Sequence, residues 1–524
     1  MPVSFSLERT GVTHIYGTDS SERQGGTNDG AIDRERAAVA ASGRCRMART
    51  MPERPRDRDL APFRTGDRIN PCIVRRSPLS EGGMFGTSGI RGRVGSEVTA
   101  AVALSVGRAV ASEGHDRVVV GRDVRESGSM FVDAVGAGLR ECGADVLTVD
   151  IEATPTIARA IDHLEADAGV VVTASHNPAT DNGIKLWNPS GKAFGPDQRA
   201  AIERRIREDD YELADWDGVG DRYRREGVRD HHAAALRDAV DLEREPSVVV
   251  DVGNGAGGIT AAVLDELGCQ VRTLNGQEDG SFPGRPSEPT EETLATLSTL
   301  VAATDAELGV AHDGDADRML AVDGTGTFVP KDALLAIFAR EAAGEDDRVA
   351  APVDTSLAVD DALAGVGASL TRTQVGDVYV AERTTEPDVV FGGEPSGAWI
   401  WPEETRCPDG PFAACKLVEL VAERGSLSEL VADIEQYPIR RTSIEVEDKA
   451  EVMADVAERV RERYDDIETL DGVRVETERG WFLLRASGTQ PLIRVTAEAR
   501  SAADAEELFE TARALVTETV AVDA

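Results

Sequence analysis

From Met84 onward, short apolar runs alternate with amphipathic segments of helical period, and that alternation restricts the chain to parallel or mixed sheets flanked by helices. Thr99 to Glu113 and Ser129 to Cys142 read as helices; Arg117 to Gly121 (RVVVG), Asp145 to Asp150 and Ala168 to Val172 (AGVVV) read as strands. A polar stretch rich in charge and Gly, Glu208 to Asp230, separates this unit from a second with strands at SVVVD (Ser247 to Asp251), Ala306 to Val310 and MLAVD (Met319 to Asp323). A third unit, from about Phe328, carries RVAAPV and VVFGG. After Tyr437 and Pro438 comes a fourth: strand RRTSIEVE, helix Lys449 to Tyr464, two further strands and a final helix. The expected organisation is three α/β units, residues 84–225, 226–326 and 327–437, and a smaller α+β unit, 438–524, without sequence repeats.

Length agrees, since 524 residues exceed one hydrophobic core and suggest three to five domains of roughly 100 to 150 residues. Residues 1–83 stand apart. They hold 14 Arg, no Lys and 11 acids and lack sustained apolar periodicity, which reads as a disordered or non-native extension with Met84 as the natural first residue.

The net charge of −38 arises from 95 acids against 57 bases, of which only five are Lys. Such a surface repels nucleic acid and anionic membranes, and itself at low ionic strength. High salt screens that repulsion, the Debye length falling to about 3 Å at 1 M, so the composition reads as salt-adapted, or halophilic. No apolar run approaches the ~20 residues of a membrane span, and the N-terminus carries no signal-peptide core. A soluble, cytoplasmic protein is expected. Its six cysteines form no CxxC pair, giving neither a disulfide framework nor a zinc site.

Several loops then carry chemistry. In TASHNPATDNGIKLW (173–187), Ser175 follows the apolar run AGVVV, at the carboxyl end of a buried strand where open α/β sheets bind ligands. His176 reads either as its hydrogen-bond partner or as a polar loop residue. Lys185, one of the five lysines, is expected in the same loop. No GxSxG elbow surrounds Ser175, which argues against a hydrolase triad.

Asp313, Asp315 and Asp317 in HDGDADR recur at every second residue; an extended chain would set all three on one side, as hard oxygen donors for Mg²⁺. An EF-hand fails, with Arg318 and Gly324 where that loop needs Gly and a carboxylate. A solvated acidic turn has the same spacing, but flanking apolar strands argue against it. RASGTQPLIR joins Arg485 and Arg494 to Ser487, Gly488 and Thr489, either an anion nest or an ordinary turn between strands. In GGEPSGAWIW, Glu394 and Ser396 could bracket adjacent sugar hydroxyls, or simply occupy a Gly-rich turn. DVGNGAGG matches GxGxxG, but Asn275 stands where a dinucleotide site wants an acid, so the turn reads as close strand-to-helix packing.

With these residues assembled, the chain from Met84 to the C-terminus resembles the α-D-phosphohexomutase family: FGTSGIRG, TASHNPATDNGIK, DGDADR, GEPSG and RASGTQP match its signature segments in order. The resemblance implies four domains around a central cleft, three similar mixed α/β domains and a C-terminal α+β domain. It implies an isomerase interconverting hexose 6-phosphate and hexose 1-phosphate, with Ser175 as phosphoserine, a sugar 1,6-bisphosphate as intermediate and activator, and one Mg²⁺ held by Ser175, Asp313, Asp315 and Asp317. Arg91 and Arg318 would lie near the transferring group, and His176 and Lys185 are candidates for proton transfer. Glu394 and Ser396 would hold sugar hydroxyls; Arg485, Ser487, Gly488, Thr489 and Arg494 would anchor the phosphate that is not transferred. Because either phosphate must occupy that anchor, hinge motion is expected near Pro438. DNGIK and VGDVYV resemble the phosphoglucosamine mutase branch, pointing to glucosamine 6-phosphate. Ala398, Ala486 and Gln490 depart from the family pattern, which keeps a phosphomannomutase/phosphoglucomutase as the alternative. A noncatalytic sugar-phosphate-binding protein and a metal-dependent phosphatase are further readings, and either a monomer or a homodimer fits.

Overall fold

A computed structural model describes residues 84–86, 89–464, 467–487 and 490–523. The extension 1–83, with the expectation attached to it, lies outside the described residues, as do Gly488 and Thr489. Four sheets follow one another along the chain.

The first domain runs β1 (Ile90–Arg93), α1 (Ala100–Ser112), β2 (Arg117–Arg122), α2 (Gly128–Glu141), β3 (Asp145–Ile151), α3 (Thr154–His163), β4 (Ala168–Val172), β5 (Asp181–Trp187), α4 (Pro196–Glu208) and β6 (Arg222–Arg224). Its sheet has the order β1-β5-β4-β2-β3-β6, parallel from β4 to β6 and antiparallel at β5 and β1. Thr99 caps α1 by accepting the Val102 N–H at 3.3 Å. Every residue of β4 is buried because helices cover both faces, so AGVVV is an unbroken apolar run. The polar stretch expected as a separator contains β6, an exposed edge strand beside β3, and runs into α5 (Val228–Asp238).

The second domain contains α5 (Val228–Asp238), β7 (Ser247–Asp251), α6 (Gly258–Glu266), β8 (Gln270–Leu274), α7 (Ala295–Ala302), β9 (Leu308–His312) and β10 (Met319–Asp323), with sheet order β10-β9-β7-β8. The strand expected at Ala306 to Val310 starts at Leu308 and reaches His312, immediately before the aspartates. The third domain adds α8 (Lys331–Ala342), β11 (Arg348–Pro352), α9 (Leu357–Ala364), β12 (Ser369–Thr373), α10 (Asp377–Arg383), β13 (Val389–Gly393), β14 (Trp399–Ile400), α11 (Gly410–Arg424) and α12 (Leu427–Ala432), with order β12-β11-β13-β14.

A common device recurs in these three mixed sheets: a buried parallel strand, a loop, and an antiparallel return. The pairs are β4/β5, β9/β10 and β13/β14. Their loops carry Ser175, the three aspartates, and Glu394 with Ser396.

The fourth domain is antiparallel: β15 (Ile439–Glu445), α13 (Lys449–Arg461), β16 (Ile467–Glu468), β17 (Val473–Thr477), β18 (Gly480–Ala486), β19 (Leu492–Ala499) and α14 (Ala502–Asp523), ordered β15-β19-β18-β17-β16. Four strands follow α13 where two were expected, because β16 is only two residues long and Gly480 turns one apolar-rich stretch into β17 and β18. Along β18 the alternation serves two cores. Phe482 and Leu484 face α13 and α14, while Trp481 and Leu483 pack on Val353 of the third domain.

That interface is polar as well as apolar. Arg474 donates to Val353 O (2.5 Å), Ser356 Oγ and the Leu357 N–H donate to Glu498 (2.6 and 2.8 Å), and Arg500 pairs with Asp361 (2.7 Å). Motion of the fourth domain about Pro438 must carry or break these contacts. A second buried network unites the other three domains. His232 on α5 meets Thr156 Oγ1 of α3 through Nδ1 (2.8 Å) and Asp409, the N-cap of α11, through Nε2 (3.1 Å).

Candidate active site

Ser175 lies three residues beyond β4 and is completely buried, with a left-handed backbone (φ 50°) that a side-chain-bearing residue adopts only when its surroundings impose it. Its N–H donates to Thr173 Oγ1 (2.8 Å), and its carbonyl accepts from Arg125 Nη2 and Ser287 Oγ (both 2.8 Å). Oγ donates to Asp313 Oδ2 at 2.6 Å and lies 3.2 Å from His176 Nδ1. Burial, then the nearby Arg318, Arg91 and Lys185, pushes the His176 imidazole down to about 2, so the ring is neutral.

The aspartates are brought together by a turn, and not by an extended chain as their spacing suggested. Ala316 has φ 56°, the loop folds back between β9 and β10, and one carboxylate oxygen from each of Asp313, Asp315 and Asp317 lies within 4.8 Å of the others. Thr154 pins Asp315 from the first domain, its hydroxyl donating to Oδ2 (2.6 Å) and its N–H to the carbonyl (2.8 Å). Neighbouring backbone crowds this turn. A Cβ on Gly255 would sit 2.7 Å from Gly314 O, and one on Gly410 2.7 Å from Ala316 O. The Gly253–Gly258 turn is therefore closed by the aspartate loop, and its Gly255 is fixed by that approach instead of by strand-to-helix packing.

Lys185 corrects the sequence reading: it lies on β5, paired with Val171 of β4, and not in the Ser175 loop. Its buried ammonium donates to Asp315 Oδ2 (2.9 Å) and to Asp317. Burial alone would lower its pKa, but Asp315 and Asp317 outweigh it and keep the group charged. Asp315 is the complement: burial opposes ionisation, yet Lys185 and the Thr154 hydroxyl hold its carboxyl well below the usual range. Burial, then Asp317 and Asp315, drives Asp313 the other way. The ammonium thus pairs with two of the three carboxylates, while Asp313 accepts from Ser175, and Asp315 Oδ1 and Asp317 Oδ1 are buried without a hydrogen-bond partner. Hard oxygen donors in this state fit a hard divalent cation such as Mg²⁺.

Arg318 closes the second and third domains over the loop. Its backbone bridges to Ala398, Met319 N donates to Gly397 O (2.9 Å), and Trp399 Nε1 donates to Met319 O (2.8 Å). The side chain is half-buried, and its guanidinium stays charged beside Asp313, Asp317 and Glu394, which outweigh the desolvation. Arg91, on β1 opposite Gly183, adds positive potential at His176 and Lys185 and has a buried Nε without a hydrogen-bond partner.

Glu394 Oε1 accepts the Gly376 N–H (2.6 Å) and Oε2 accepts Ser396 Oγ (3.0 Å). Burial, then Asp377, pushes its carboxyl up to about 7. In the fourth domain Arg485 and Arg494 are cross-strand partners on β18 and β19, and Ser487 Oγ accepts the Gln490 N–H (3.3 Å). Among the described residues these three make no hydrogen bond to the serine–aspartate cluster. Asp471 provides the link, accepting from Arg485 and from the Val375 N–H (both 3.1 Å), next to the Gly376 that binds Glu394.

The sequence reading missed Asp123, Arg125, Thr154, Thr173 and Ser287. GRDVRES (121–127), an acid and an Arg two residues apart directly after a buried strand, was the available signal for the first two.

Comparison with known proteins places these motifs in context. Models of phosphoglucomutase/phosphomannomutase α/β/α domains I, II and III match residues 82–213, 230–326 and 330–437, and the model of the C-terminal domain matches 442–515. A Methanopyrus kandleri protein named "Probable phosphoglucosamine mutase" is 46% identical over 435 residues, covering 82% of this chain and 96% of its own. A Methanosarcina acetivorans protein of the same name is 46% identical over 445 residues, 83% and 99% of the two chains. The crystal structure of a phosphoglucomutase/phosphomannomutase family protein from Burkholderia thailandensis superposes with a TM-score of 0.76 at 29% identity, over 83% of this chain and 97% of that one. An N-acetylphosphoglucosamine mutase from Aspergillus fumigatus shares the fold, with a TM-score of 0.53 at 16% identity over 85% and 96% of the chains.

Proposed function

The chain belongs to the α-D-phosphohexomutase family and is an isomerase of hexose phosphates, and on that premise we propose that it interconverts glucosamine 6-phosphate and glucosamine 1-phosphate through a phosphorylated Ser175. The choice of sugar follows the name of the archaeal relatives and the DNGIK and VGDVYV segments. One observation carries the chemistry: Ser175 Oγ lies 2.6 Å from Asp313, and Asp313 converges with Asp315 and Asp317.

In this reading Ser175 Oγ, carrying a phosphoryl group, gives it to a sugar hydroxyl. The P–Oγ bond breaks, a P–O bond to the sugar forms, the hydroxyl proton passes to the neutral His176 ring, and the freed Oγ takes up a proton; Lys185, held charged by Asp315 and Asp317, can serve only as a proton donor or as fixed positive charge. The bisphosphorylated sugar turns around and returns its other phosphoryl group to Oγ, restoring the enzyme. Asp313, Asp315 and Asp317 with a seryl phosphate oxygen would hold Mg²⁺, which supplies charge neutralisation for the transferring group. Arg91 and Arg318 add positive charge where the phosphoryl group passes, so the site acts mainly by position and electrostatics. Glu394 and Ser396 bind sugar hydroxyls, while Arg485, Ser487 and Arg494, with Gly488 and Thr489, receive the idle phosphate. A cytoplasmic enzyme working at high salt suits the net charge of −38. No helix among the described residues is long and apolar enough to cross a membrane.

The test compares turnover of glucosamine, mannose and glucose 6-phosphates with a trace of sugar 1,6-bisphosphate, Mg²⁺ and high KCl. Glucosamine 6-phosphate should have the highest kcat/KM, intact mass should show one phosphoryl group, and Ser175→Ala should be inactive. A fully active Ser175→Ala contradicts the phosphoserine scheme, and a preference for mannose or glucose 6-phosphate replaces the sugar.

A further inference from the structure

We propose that Arg125, braced by Asp123, is a positioning residue that sets the Ser175 loop for phosphoryl transfer, an inference that rests on the reading of Ser175 as the phosphoryl carrier. Arg125 is completely buried. Its Nε donates to Asp123 Oδ2 (2.9 Å), Nη1 to the carbonyls of Pro178 (2.6 Å) and Asp181 (2.9 Å), and Nη2 to those of Ser175 (2.8 Å) and Asn177 (2.7 Å). All five donors of the guanidinium are used within the protein, so none is left for a phosphate. The residue therefore acts through the loop and does not touch the substrate.

The same ion pair controls both backbone groups of Ser175. On the carbonyl side Arg125 binds directly. On the amide side Asp123 accepts the Thr173 hydroxyl (2.7 Å), and Thr173 Oγ1 accepts the Ser175 N–H (2.8 Å). Both peptide planes flanking Ser175 are thereby fixed in the left-handed conformation that aims Oγ at Asp313. The second domain completes the clamp: Ser287 donates to the same Ser175 carbonyl, and the Phe282 ring lies 5.1 Å from the Arg125 guanidinium carbon. A buried ion pair contributes little net stability, whereas it can specify a single geometry. Ser175 must present Oγ correctly in both halves of the reaction, giving and then recovering a phosphoryl group. Misplacement by about 1 Å costs about 10²-fold in rate.

The full chain carrying Arg125→Lys keeps the charge but cannot bind four carbonyls through one planar fork. Its kcat should fall about 10²-fold with KM for the hexose phosphate changed less than about twofold. Uptake of the phosphoryl group by Ser175 from glucose 1,6-bisphosphate, followed by intact mass in a single turnover, should slow by the same factor. Thr173 offers a second, milder pair should Arg125→Lys not fold: Thr173→Val deletes the hydroxyl relay at constant shape and should lose kcat and phosphoryl uptake together, while Thr173→Ser restores both. A folded Arg125→Lys or Thr173→Val whose kcat stays within about threefold of the unaltered enzyme, or whose loss lies only in KM, overturns the proposal. Full activity of Ser175→Ala would instead remove the phosphoserine reading beneath it, so the two failures are distinguishable.

Discussion

Replacing Glu394 by Gln should stabilise the protein at alkaline pH while impairing it as a catalyst. Glu394 is 8% exposed. Burial, then Asp377 and more weakly Asp354, outweighs the Gly376 N–H and Arg318 and moves it from its ordinary 4.5 to about 7. The folded state thus binds this proton more tightly than the unfolded state does. Its contribution is fully present below about pH 4.5 and is lost as pH rises through 7. At 1.36 kcal/mol per pH unit, the charged carboxylate at pH 8.5 costs about 3 kcal/mol relative to the protonated form. Gln stays neutral at every pH, and its Oε1 can keep the Gly376 hydrogen bond. Urea unfolding at fixed KCl, read by Trp fluorescence, should show near-equal stability of the two proteins at pH 4.5 and an advantage for Glu394→Gln approaching 3 kcal/mol at pH 8.5. Trp399 and Trp401 lie close by in sequence and report on this loop. If the difference between the two proteins does not change with pH, the charge assigned to this site is wrong. In the mutase assay kcat/KM of the variant should fall if Glu394 has the proposed role, because a sugar hydroxyl would then lose its anionic acceptor.

Chelation should abolish turnover, and added Mg²⁺ should restore it; Mg²⁺ at 100 times its Kd should also raise stability by about 2.7 kcal/mol, an effect absent from Asp317→Asn. Arg474→Met removes the donor to Val353 O and the guanidinium 3.9 Å from the Trp481 ring centroid, and should lower unfolding stability by about 2–4 kcal/mol, with the fourth domain loosening in small-angle scattering. Asp409 is buried, but His232 and Arg159 more than offset that burial and hold its carboxyl low. Its stabilisation is therefore present above the ordinary carboxylate range and lost as pH falls below it, so Asp409→Asn should lower stability at pH 7 by about 3–5 kcal/mol and flatten acid unfolding below about pH 4.

Much of the site was legible because buried parallel strands leave an unmistakable trace: AGVVV, SVVVD and VVFGG are observed with the boundaries read from the sequence. The loops that follow AGVVV and VVFGG, and the one after β9, then fall where open sheets bind ligands. The return strand β5 was hidden, since DNGIKLW mixes Asn, Gly and Lys in a fully internal position and pairs Lys185 with aspartates far along the chain. The aspartate turn was hidden for a different reason: its left-handed residue is Ala316, a type that does not announce positive φ. β6 was missed because RYR lies exposed at an edge, where no burial imposes a pattern. Arg125 was missed because most of its partners are main-chain carbonyls, which any sequence possesses.

The network at His232 has a consequence for inheritance. Each of the first three domains supplies at least one of its members, so a recombinant that exchanges one of them with a distant relative would strand an imidazole or a carboxylate in a buried interior unless the incoming segment brings a matching group. Lineages should transmit Thr156, Arg159, His232 and Asp409 as a linked set. The fourth domain, absent from that network and fastened at its own seam, is the natural cassette for exchange as a unit.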